Sequence, residues 1–159
     1  MIYAFIQRLF RDQSGVGFIE LALAAPLLAL MFLGMIDMSK VVATRVDLEQ
    51  AAQRTTDLAL AKRPPNGNTG YLVSEAVAAS GLSSSNVTVK LTCECDGVVQ
   101  NKYTDSCASG EVTKRFASVS IQTQVATGFN WRIVGAMFSG GNASYTPITV
   151  VGDSVVRLQ

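Results

Sequence analysis

Between Val16 and Ile36 the chain carries a single charge, Glu20, in an otherwise apolar run. As a helix this run rises roughly 31 Å, about the thickness of a bilayer's hydrocarbon core, so it predicts one membrane-spanning segment. Glu20 is what makes the run unusual. An ionisable group at membrane depth costs on the order of a few kcal/mol and marks a working site, unless it lies near enough to the helix end to snorkel to the interface. Position alone leaves both readings open.

The residues ahead of the run narrow the choice. Residues 1–15 form a short leader with Arg8, Arg11 and one acid, Asp12, ending in Ser14-Gly15. Its basic balance keeps it cytoplasmic by the positive-inside rule. A secretory signal places its small-residue cleavage site after the apolar region, whereas here Ser14-Gly15 precede it. This arrangement resembles the TadE-like family of tight-adherence (Tad) pilus proteins: a basic leader, Gly15, four residues, then Glu20-Leu21-Ala22, Pro26 and the apolar stretch Leu27 to Ile36. Leu21 departs from that pattern, in which phenylalanine usually follows the glutamate.

The resemblance implies a minor pilin or pseudopilin of a Tad-type pilus, anchored in the cytoplasmic membrane with its C-terminal part periplasmic. It also implies that a prepilin peptidase cuts between Gly15 and Val16, which makes Glu20 the fifth residue of the mature chain. Cutting after Gly17 would make it the third. The new α-amino group on Val16 would then lie one helical turn from Glu20, and a carboxylate in a neighbouring subunit can neutralise it. The partners implied are that peptidase, other pilin and pseudopilin subunits, the Tad assembly machinery and membrane lipid. Pro26 lacks a backbone donor and is expected to kink or loosen the helix. Ala22, Ala25 and Ala29 put small side chains on one face, where another helix can approach closely.

Composition restricts the function from another side. Of 13 basic and 12 acidic residues, removal of Arg8, Arg11 and Asp12 leaves 11 of each, so no electrostatic case exists for nucleic acid. Histidine is absent, which excludes Ser-His-Asp and Cys-His catalysis and zincin motifs. No Walker or dinucleotide glycine motif is present, so neither an enzyme nor a cofactor is expected.

Beyond Ile36, charges interspersed with apolar residues indicate that the helix continues into water over residues 37–62. Met38, Val41, Leu48, Ala52 and Ala59 form a stripe suited to lying on a sheet, with Arg45 and Glu49 as an intrahelical pair at its rim. Arg63-Pro64-Pro65-Asn66-Gly67 ends the helix. Tyr71 to Ser80 reads as a short helix stopped by Gly81. Period-two alternation then predicts strands at Val87–Cys95 and Val112–Thr127, joined as an antiparallel hairpin by the polar loop Asp96–Glu111. A third strand is expected around Ile148 and Val150 and over Val155 to Leu158, with a bend or bulge at Gly152. Gly128–Tyr145 reads as a short helix or loop packed over the sheet, or as an apolar patch for a partner.

The expected fold is therefore α+β and pilin-like: leader 1–15, membrane helix 16–36, its amphipathic continuation 37–62, and an extracytoplasmic domain 63–159 with a small antiparallel sheet. In that compartment the three cysteines favour a disulfide. Cys107 can fold back onto Cys95, the nearer partner, or onto Cys93. Zinc lacks a fourth good ligand, so no metal is expected. The competing functional reading is an uncleaved single-span anchor carrying a periplasmic binding or thiol domain.

Overall fold

The computed structural model describes residues 16–140 and 147–159. Two compact units divide the chain, one ending at Ser39 and the other running from Lys40 to Gln159. Helix α1, Val16–Ala61, contributes to both and contains Pro26. Within the first unit the large apolar side chains of α1 are exposed, Phe18 at 77% and Leu23 at 76% among them.

In the second unit, α1 ends where prolines remove the donors a further turn would need. The Lys62 N–H still bonds the Leu58 carbonyl at 2.8 Å. A 3₁₀ turn, Pro65–Gly67, follows, with Asn66 at φ 52° and Gly67 at φ 78°. Helix α2, Gly70–Ser80, opens with the Asn68 side chain accepting the Gly70 N–H at 2.9 Å and stops at left-handed Gly81.

Strands β1 (Val87–Cys95), β2 (Val98–Val99), β3 (Thr113–Val125) and β4 (Ile148–Arg157) form one antiparallel sheet in the order β2-β1-β3-β4. The hairpin expected from the alternation is the β1–β3 pair, in register from Val87 opposite Ile121 to Cys95 opposite Thr113. The last strand differs from expectation: β4 is unbroken, and Gly152 sits in regular register opposite Ile121. Its glycine serves a close approach. A Cβ added there would lie 2.5 Å from the Glu49 nitrogen and the Leu48 Cβ, and would also meet the Leu48 carbonyl carbon. The backbone of α1 thus rests almost directly on the centre of β4.

That approach is possible because the helix face turned to the sheet is small. Leu48, Ala51 and Ala52 pack with Ala76 of α2 and with Val87, Val119, Ile121 and Val150 of the sheet. Farther along, Ala59 joins Leu72, Ala117 and Leu158 in a second cluster. Leu72 and Ile121 are fully buried, each burial contributing about 1.5–3 kcal/mol before entropy costs. Two threonines complete the stripe. Thr55 bonds the Ala51 carbonyl at 2.8 Å, and Thr56 meets the Ser154 hydroxyl at 2.9 Å, so both are buried with their hydroxyls satisfied. Met38, which the spacing assigns to this stripe, is instead 61% exposed.

Helix α3, Trp131–Ser139, is capped by Asn130, whose side chain accepts the Arg132 N–H at 3.1 Å. Trp131, Val134 and Ala136 are half-buried, and none of the described side chains of α3 belongs to either core cluster.

Candidate functional site

Two places carry the features singled out in the sequence: the N-terminal part of α1 and the loop that joins β1 to β3. In the first, Val16 opens α1, while Gly15 lies outside the described residues. Glu20 is exposed one turn into the helix, among exposed Phe18, Ile19, Leu21 and Leu23. Pro26 lies farther along, and α1 is helical on both sides of it. By length and composition α1 is able to cross a membrane, and it is the one such helix among the described residues. A helix surface that is apolar all round is at home in lipid or among other helices, and a lone carboxylate there gains most from a positive partner.

In the second place a tight turn starts the loop. Asp96, at φ 49°, and Gly97, at φ 89°, reverse the chain so that Val98 and Val99 pair back onto β1. Asp-Gly between two apolar residues is a strong short hairpin signal, and it marks β2 within the segment that the alternation alone assigns to the loop Asp96–Glu111. The remaining loop is held by its own side chains. Asp96 Oδ1 accepts the Val112 N–H at 2.9 Å, Asp105 Oδ2 the Lys102 N–H at 3.0 Å, and Glu111 Oε2 the Ala108 N–H at 2.9 Å.

Cys95 and Cys107 are disulfide-bonded, with Cα atoms 5.5 Å apart, and Cys93 is a buried free thiol. The three sulfurs lie within 4.8 Å of one another. Cys93 Sγ contacts the Asp105 carbonyl at 3.6 Å, and Cys107 lies 3.8 Å from the Glu94 carbonyl. This cluster offers three ligand atoms in a chain without histidine, one fewer than a structural zinc site uses.

Directly across from Cys93 on β3 is Arg115. Its Nη2 donates to the same Asp105 carbonyl at 3.4 Å, and its guanidinium lies 5.4 Å from the Tyr103 ring centre. Its Nε is buried without a hydrogen-bond partner. Arg115 and Tyr103 line a cavity of about 270 Å³ together with Arg63, Asn66 and Leu158. Nearby, the Tyr71 hydroxyl donates to the Lys62 carbonyl and the Lys62 ammonium lies 5.3 Å from its ring. Burial, and secondarily the charge of Tyr103, raise the Tyr71 pKa above the ordinary phenol value. No local pattern in the sequence marks Arg115, Tyr103 or the cross-helix Arg54–Glu75 pair at 2.8 Å. They meet through register and helix packing, to which periodicity is blind.

A family model described as TadE-like protein matches residues 15–57, bearing out the resemblance read from Gly15, Glu20-Leu21-Ala22 and Pro26. No curated protein and no solved structure matches the chain. The family match points to a Tad pilus-related minor pilin, associated with pilus subunits and Tad machinery. It covers α1 as far as Asp57 and does not reach the sheet or the cysteine loop.

Proposed function

We propose that the chain is a minor pilin of a Tad-type pilus, inserted through residues 16–36 and trimmed by a prepilin peptidase between Gly15 and Val16. Its task is structural rather than catalytic: assembly of the pilus that mediates surface adhesion. The observation that carries this reading is the TadE-like match over a segment whose one membrane-depth charge is Glu20. In the assembled state Glu20 pairs with the α-amino group of Val16 in a neighbouring subunit, and Pro26 loosens the helix enough for neighbours to pack around it. The N-terminus of the unprocessed chain is cytoplasmic and the sheet domain periplasmic.

Intact-mass analysis of the protein from cells with and without a prepilin peptidase tests this. The expected mature protein begins at Val16 only when the peptidase is present. A chain starting at Met1 or Phe18 in both strains would sink the assignment. A second reading, an uncleaved anchor with a thiol domain, draws on the buried Cys93 beside the disulfide, and it predicts the Met1 start.

A further inference from the structure

We propose that Cys107 has two disulfide partners within the folded domain, and that exchange from Cys95 to Cys93 re-anchors the loop between β1 and β3. Cys93 is the one free thiol, and its sulfur lies within 4.8 Å of both bonded sulfurs. The loop already lies over it, since Asp105, two residues before Cys107, contacts Cys93 Sγ through its carbonyl at 3.6 Å. Cys107 Sγ in turn sits 3.8 Å from the carbonyl of Glu94, the residue between its two partners. A small displacement along β1 therefore carries Cys107 from one to the other.

The chemistry balances without an outside oxidant. Cys93, as thiolate, attacks Cys107 Sγ; the Cys93–Cys107 bond forms as the Cys95–Cys107 bond breaks, and the electron pair leaves on Cys95, which takes up the proton that Cys93 released to solvent. Attack on Cys95 itself is disfavoured. Cys93 and Cys95 are alternate residues of one strand, with Cα atoms roughly 6.6 Å apart, near the limit a disulfide spans, and the ladder to β3 holds them there. Cys107 lies in the loop, outside the β1–β3 ladder, and can follow.

The result of the exchange is specific. The Asp105 carbonyl now stands against both Cys93 Sγ and Arg115 Nη2, and a Cys93–Cys107 bond displaces it. Arg115 then loses that acceptor and turns toward the cavity it shares with Arg63 and Tyr103. Strand β2 stays in place, because it is held to β1 by backbone pairing, and the Gln100 N–H that follows it donates to the Cys93 backbone carbonyl at 2.7 Å, so the Cys93 thiol takes no part. A covalent change beneath the surface is thus expressed in the loop and in the Arg115 side chain that the loop holds.

Full-length protein from an oxidising compartment, kept folded in mild detergent at pH 8, is acid-quenched, alkylated with N-ethylmaleimide and cut after Glu94, which separates Cys93 from Cys95. The label is expected to shift with time from Cys93 to a division between Cys93 and Cys95. Cys95→Ser is expected to form a Cys93–Cys107 link under oxidised glutathione. Label on Cys93 alone, or free Cys93 and Cys107 in a folded Cys95→Ser protein, overturns the proposal. If that variant fails to fold, the wild-type label distribution decides by itself.

Discussion

Replacing Gly152 by alanine adds one methyl group at the point where α1 comes closest to the sheet. On an ordinary strand the change would help, since glycine in a strand interior is destabilising by roughly 0.5–1 kcal/mol relative to alanine. Here the new Cβ would stand 2.5 Å from the Glu49 nitrogen, against backbone that has no rotamer to change. The helix must lift, which opens the packing of Leu48, Ala51 and Ala52 on Val119, Ile121 and Val150 and strains the Thr56–Ser154 hydrogen bond. Overpacking of this kind costs about 1–3 kcal/mol, so after the strand gain the net loss is about 1–2 kcal/mol. With a urea dependence of roughly 1–3 kcal/mol per molar, the midpoint of unfolding should fall by about 1 M. Pulse proteolysis of the full-length protein in detergent, across a urea series, measures that midpoint. A Gly152→Ala protein as stable as wild type, or more stable, would refute the account of why a glycine stands there.

Three further outcomes are expected. Glu20→Gln should insert and be trimmed normally yet fail to associate with pilus subunits, because it leaves the Val16 ammonium of a neighbour uncompensated among apolar helices; normal co-purification and surface attachment would make Glu20 a bystander at the interface. Cys107→Ser should lower domain stability by about 3 kcal/mol through loss of a loop constraint, read as a reduced thermal midpoint, and an unchanged midpoint would count against it. Because burial raises the Tyr71 pKa, the unfolded chain releases its proton first; the associated stability is intact below about pH 10 and is lost as pH rises through the higher folded value. Absorbance titration of phenolate should show a late-ionising component that Tyr71→Phe removes.

What the sequence made legible follows the reach of each signal. The stop of α1 at Pro64-Pro65, the Gly81 cap and the alternation of β1 and β3 are local, and the structure places them within a residue or two of where they were read. The role of Gly152 is not legible locally, because sequence shows that a side chain is missing, not what occupies its space. In an isolated strand the natural inference is a bulge. Only the placement of Leu48 and Glu49 above it reveals a close approach. The cysteine loop shows the same boundary: nearness along the chain favours Cys95 for Cys107. That Arg115 faces Cys93 depends on the β1–β3 register, set by contacts many residues apart.

Helix α1 shows why one sequence signal has two meanings along its length. Small residues at helical spacing occur in both halves, as Ala22, Ala25 and Ala29 and again as Ala51, Ala52 and Ala59. In the second half Asp47, Arg54 and Asp57 mark the solvent side, and the alanines are buried on the sheet. In the first half no such charges define a wet side, and the alanines are exposed along with Phe18, Leu23 and Leu27. A face of small residues lets another backbone come near, as Gly152 shows on the sheet side. Among the described residues of the first unit, nothing covers the same face in the apolar N-terminal half. It therefore calls for lipid or a second helix, and a second helix bearing a free α-amino group is the occupant that would also give Glu20 its counter-charge.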